Sequence, residues 1–116
     1  MARRPILALA AFALSMAPAL ADEWRNLTGP EIAEALTGRT LDYDGAWQDF
    51  RESGATLYNA GADSWGTWTT RGDQYCSQWP PSATWACYDV ALSTDGQAVR
   101  FSGLPGDVTI GTYRKR

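Results

Sequence analysis

Histidine is absent from all 116 residues, which removes the commonest general base and metal ligand of chemistry near neutral pH. Lysine occurs once, at Lys115 in the C-terminal tail, where nothing would desolvate an amine enough to make it a base or nucleophile. There are only two cysteines, too few for a zinc site once they pair with each other. The chain has no G-x-G-x-x-G and no P-loop, so neither phosphate-cradling fingerprint is available. After residue 21 no apolar run approaches the length that spans a bilayer. These absences argue against thiol, imidazole, lysine and nucleotide chemistry, and they predict no cofactor and no bound metal.

The N-terminus is rich in what the rest lacks. Arg3 and Arg4 precede an uncharged apolar run from Ile6 to Met16, and Ala19-Leu20-Ala21 follows as a small-residue cleavage site. Basic, apolar and small-residue zones in that order read as a secretory signal peptide over residues 1–21. Residues 22–116 are then expected to form one small domain that is periplasmic or secreted. Without Arg3 and Arg4, eight basic residues face thirteen acidic ones, and the net charge becomes −5 rather than −3. A surface of that sign repels phosphates, which predicts no nucleic-acid partner and no membrane association after cleavage. The Arg114-Lys115-Arg116 tail is too short to overturn this and reads as a solvated terminus. Export also places Cys76 and Cys87 in an oxidising compartment, where two cysteines read as one structural disulfide. They lack the C-x-x-C spacing of a redox pair.

Punctuation divides the mature chain into one helix and many strands. Trp24 and Leu27 belong to a short lead-in available for packing. Thr28-Gly29-Pro30-Glu31 is a capping box with proline in the first turn. Ile32, Ala35 and Leu36 share one face, Glu31 and Glu34 point to water, and Gly38 is the stop. From Thr40 onward, strands are predicted over 40–43, 47–52, 55–59, 65–70, 74–78, 84–93, 97–102 and 108–113. The breaks between them carry Asp44-Gly45, Ser53-Gly54, Gly61, Gly72-Asp73, Asp95-Gly96 and Pro105-Gly106. Around Asp95-Gly96, Tyr88, Val90 and Leu92 alternate with polar or small neighbours, as do Val99 and Phe101. That period of two means one buried and one wet face. The expected fold is mainly β: a small antiparallel meander or barrel, with one short N-terminal helix packed on it and one disulfide.

Few residues remain that could carry chemistry. Asp42 and Asp44 are two apart, a spacing that would serve a calcium site or the acid and nucleophile of a glycosidase. Because Gly45 follows at once, Asp44-Gly45 reads first as a turn. Asp73 and Asp89 flank the bridged segment, and either could pair with Arg71. Tryptophan is the one excess, with six: Trp24, Trp47, Trp65, Trp68, Trp79 and Trp85. Trp47 and Trp68 lie within strand patterns and read as core. Trp79 and Trp85 flank Pro80-Pro81, and Trp65 follows a glycine-containing loop. For these three, and for Tyr88 beside Cys87, core filling and the lining of a ligand or partner site both stand open.

The sequence from Gly66-Thr67-Trp68 through Gly72-Asp73-Gln74-Tyr75-Cys76 to Trp85-Ala86-Cys87-Tyr88, with Leu36-Thr37-Gly38-Arg39-Thr40 before it and Asp95-Gly96 after it, resembles a group of small uncharacterised exported proteins of Gram-negative bacteria. The resemblance covers nearly all of the mature chain, and G-x-W…G-D-x-Y-C…C-Y is its most specific part. It implies a periplasmic β-rich domain and brings no catalytic residue. Some chains of this kind carry the name dihydrodipicolinate reductase. That activity resembles the work of a much longer two-domain enzyme with a nucleotide fingerprint and a histidine–lysine region, and none of these parts is present here.

The functional expectation is a non-catalytic binding or interaction module for a small ligand, a glycan or a basic protein. An acidic inhibitor of a secreted hydrolase such as lysozyme is the alternative, since opposite charge speeds encounter with a basic enzyme. A glycan enzyme built on paired carboxylates is the third.

Overall fold

The structure, a computed structural model, describes residues 23–116. The signal peptide expected over residues 1–21 lies outside the described residues. The order of elements is β1 (Trp24–Asn26), α1 (Gly29–Leu36), β2 (Arg39–Tyr43), β3 (Ala46–Phe50), β4 (Ala55–Asn59), β5 (Asp63–Arg71), β6 (Gln74–Gln78), β7 (Trp85–Ser93), β8 (Ala98–Ser102) and β9 (Val108–Tyr113). From β2 to β9 each strand pairs antiparallel with the next. Strand β9 then returns to β2, with Leu41 opposite Tyr113 and Asp42 opposite Thr112. The meander is thereby a closed eight-stranded barrel. Strand β1 lies outside this ring and pairs with the far half of β7, placing Arg25 opposite Leu92. The sequence alone made β1 a lead-in, because three residues carry no period.

Helix α1 forms where the capping box predicts. Thr28 Oγ1 accepts from the Glu31 backbone N–H, and the Glu31 carboxylate accepts from the Thr28 N–H at 2.9 Å. Gly38 stops it with a φ of +75°. Eight residues cannot hold a helix alone, so burial of Ile32 and Leu36 at zero exposure must hold it, at roughly 1.5–3 kcal/mol for each side chain. The helix presses so close to the β5–β6 turn that a side chain at Gly29 would collide with the Gly72 carbonyl. Asp73 accepts from the Gly29 N–H at 2.8 Å, and the Tyr113 hydroxyl donates to the Ala35 carbonyl at 2.8 Å. The helix thus closes one end of the barrel.

The interior below the middle of the barrel is filled. Leu41, Phe50, Trp68, Tyr75, Val90, Val99 and Phe101 are buried together with Leu27, Ile32 and Leu36. Phe50 meets Trp68 and Tyr75 edge-on, each with ring centroids 5.8 Å apart. Trp68 also donates its indole N–H to the Arg51 carbonyl at 3.0 Å, which holds the ring at the β3–β4 turn. Cys76 and Cys87 stand directly opposite each other on β6 and β7 and are bonded.

Three expectations are corrected. Strand β3 stops at Phe50 and not at Glu52, because the Gly54 N–H donates to the Arg51 carbonyl at 3.0 Å and closes the turn there. Trp47 is not core: its neighbour Gln48 takes the inward position, and Trp47 lies half-buried beneath Arg114 on the outside. Arg71 pairs with neither Asp73 nor Asp89. Its guanidinium lies 4.5 Å from the Trp85 ring centre, while Asp89 accepts from Gln74.

Candidate functional site

The four turns away from the helix, after β2, β4, β6 and β8, surround an open mouth. Behind it lies a cavity of about 640 Å³, a volume within the range of small-molecule sites. Its wall is aromatic. Tyr43 ends β2, Tyr58 lies on β4, Trp79 follows β6 and Tyr88 lies on β7, with Tyr75 and Phe101 at the floor. Tyr43 and Tyr58 have ring centroids 6.2 Å apart, and Tyr58 meets Trp79 edge-on at 6.1 Å. These three rings form one continuous arc.

Glycines seat these rings. A side chain at Gly66 on β5 would meet the six-membered ring of Trp79 at 2.6 Å. At Gly111 on β9 it would meet the Tyr43 ring at 2.7 Å, and at Gly103 the Tyr88 ring at 2.8 Å. Each aromatic therefore lies against bare strand or turn backbone, a close approach that only glycine permits. Trp79 is further fixed by its indole N–H, which donates to Ser77 Oγ at 3.1 Å.

A short polar network lies between the cavity and the apolar core. Gln48, buried, accepts from the Tyr43 hydroxyl at 2.8 Å. Its amide donates to Thr56 Oγ1 at 2.9 Å and to the Tyr75 hydroxyl at 3.2 Å. Thr56 in turn donates to the Asp49 carbonyl at 2.7 Å. Buried polar groups satisfied in this way hold a unique arrangement rather than a fluid one. Burial pushes the Tyr43 phenol far above its ordinary value, with Tyr75 and Tyr58 adding to it. Tyr75 is raised by burial against the opposing bonds from Ser77 and Gln48. Tyr88 is raised by burial and then by the Asp107 carboxylate beside it. All three are neutral phenols at physiological pH, so Asp44 is the charged side chain of the lining.

The sequence-selected residues separate into two groups. Trp79 and Tyr88 line the cavity. Trp65 lies on the outer surface, 49% exposed, with Arg51 at 4.8 Å from its ring centre, and Trp85 lies under Arg71. Cys76 and Cys87 form a structural staple across β6 and β7, beside the cavity wall and outside it. Asp42 is held on the barrel exterior by Arg114, whose Nε donates at 3.1 Å, while Asp44 belongs to the mouth. Among the described residues no three cysteine, aspartate or glutamate side chains converge in a metal-binding group, and no helix is long and apolar enough to cross a membrane.

Sequence reasoning missed Tyr43, Tyr58, Tyr75 and Gln48. Of these, Tyr43 left a signal in Gly111, a glycine inside a strand pattern that marks close approach of another group, whereas Tyr58, Tyr75 and Gln48 are brought together by register alone. No known family model, curated protein or solved structure matches the chain.

Proposed function

We propose that this chain is an exported, non-catalytic binding module that holds one small ligand in the open end of its barrel. The observation that carries the reading is the aromatic cavity of about 640 Å³ behind the mouth. It combines a fixed wall of rings with a few polar groups, the composition of small-molecule sites. The network behind the wall supports this, because Gln48 pre-positions Tyr43 and Tyr75 and lowers the ordering cost of binding. The carboxylate-pair enzyme has little support, since Asp42 is engaged by Arg114 outside the barrel. The oxidising compartment that export implies agrees with the Cys76–Cys87 bond.

The test is tryptophan fluorescence of residues 22–116, titrated in turn with cell-wall saccharide fragments, apolar amphiphiles and a basic lysozyme. A saturable change with a small ligand, lost in Trp79→Ala and kept in Trp85→Ala, is the expected result. No change with any small ligand would remove the cavity reading. A change with lysozyme alone that weakens as salt rises would put inhibition of a basic hydrolase in its place.

A further inference from the structure

The charge around the mouth is one-sided. The four turns that surround it run over residues 44–45, 60–62, 79–84 and 103–107, and none carries a lysine or arginine. They bring Asp44 and Asp107 to the rim, with Asp63 at the start of β5. Asp44 is part of the cavity lining, and Asp107 lies beside the phenol of Tyr88, which also lines it. The positive charge lies elsewhere. Arg39, Arg51, Arg71, Arg100 and Arg114 each lie over an aromatic ring of the outer surface or the helix end: Tyr113, Trp65, Trp85, Trp24 and Trp47.

Resting on the proposal that the cavity binds a small molecule, we infer that its ligand is an organic cation, an ammonium group on an apolar body. The rings of Tyr43, Tyr58, Trp79 and Tyr88 offer electron-rich faces, which attract a poorly hydrated cation and repel an anion. Asp44 supplies the opposite charge at the entrance. An anionic ligand would meet a carboxylate and four aromatic rings with no cation to receive it. A neutral sugar would leave the charge of Asp44 unanswered, and two donors of the wall, the Tyr43 hydroxyl and the Trp79 N–H, are already committed to Gln48 and Ser77, leaving the hydroxyls of Tyr58, Ser64 and Thr109. The apolar body has its own place on the inward rings, with Tyr75 and Phe101 at the floor of the cavity, while Val108 and Ile110, opposite Ser102 and Arg100, carry their side chains on the outer face of β9.

Three probes that share one hexyl chain separate the charge from the cavity: hexyltrimethylammonium, hexanol and hexanesulfonate, each titrated into residues 22–116 while tryptophan emission is followed. The cation is expected to bind roughly tenfold more tightly than hexanol, the sum of ring and carboxylate attraction, and to weaken as salt rises. Asp44→Asn is expected to weaken it roughly two- to fivefold and to leave hexanol unchanged. Asp107→Asn acts in the same direction. Asp89→Asn, on the outside of β7 where Asp89 accepts from Gln74, is expected to change nothing. If hexanol or hexanesulfonate binds as tightly as the cation, the charge inference is overturned while the cavity proposal stands. Silence with all three overturns the inference too, and the saccharide and amphiphile titrations then decide the cavity proposal separately.

Discussion

Glycine and aromatic residues work here as pairs, one supplying the ring and the other the space beneath it. Gly66 with Trp79 is the tightest, since a Cβ would fall 2.6 Å from the indole. Gly66→Ala must move a ring that is also tied to Ser77, and overpacking of this kind costs about 1–3 kcal/mol. Urea unfolding followed by fluorescence should show the lower midpoint together with a shifted Trp79 emission. An unchanged midpoint and spectrum would mean that Trp79 does not lie on Gly66. Gln48 is the second residue on which the mouth depends. Gln48→Ala leaves Thr56, Tyr75 and Tyr43 without their common partner and is expected to destabilise the fold by about 1–3 kcal/mol. A stability equal to that of the parent in the same unfolding measurement would sink this account of the network.

At the scale of elements, the β6–β7 hairpin carries a six-residue connection, Trp79 to Thr84, between strands that face the mouth. The staple lies three residues before this connection begins and three beyond its end, at directly opposed positions. It limits the open states of the hairpin that presents Trp79 and Tyr88. Replacing both cysteines by serine is expected to cost roughly 2–3 kcal/mol, through the greater freedom of the unfolded chain. The loss should appear as a lower urea midpoint than that of the oxidised protein, and reduction of the parent should reproduce it. Equal midpoints for the oxidised and serine forms would refute the role. Helix α1 shows the same division between local and tertiary causes: the Thr28–Glu31 box decides where it begins, and the burial of Ile32 and Leu36 decides that it exists.

The whole molecule is sensitive to alkali through its buried phenols. Tyr43 and Tyr75 have folded-state values raised above the ordinary value of 10.0, chiefly by burial. The folded state thus keeps protons that the unfolded chain releases, and the stability due to these groups is complete below pH ~10 and falls as pH rises further. The slope is up to about 1.4 kcal/mol per pH unit for each of the two. Thermal unfolding followed from pH 9 to 12 should therefore fall steeply with a simultaneous rise of tyrosinate absorbance. Ionisation of Tyr43 and Tyr75 at their ordinary values, without unfolding, would contradict their burial. In acid the sign reverses. Glu31 is held below its usual value by the Thr28 backbone N–H and then by Arg25, and Asp95 by Ser93 and the Gln97 N–H. Their contribution is present above the unfolded values and disappears as pH falls through the folded ones.

Strand positions, turns, helix cap and disulfide were determined by the sequence itself, because each depends on neighbours a few residues away or on a compartment. Alternation around Asp95-Gly96 placed Val90, Val99 and Phe101 inside, where they are buried, and glycine punctuation located all eight barrel strands. Closure was decided elsewhere, by Leu41 and Tyr113 meeting across 72 positions of chain, a contact that no local period encodes. So was the fate of each tryptophan. Trp47 and Trp68 both read as core, yet the pleat turns Trp47 outward under Arg114 and Trp68 inward, and of those left open Trp65 lies outside under Arg51 while Gly66 holds Trp79 in the mouth. Side-chain direction along a strand follows from register, and register across a barrel is fixed only when the last strand meets the first.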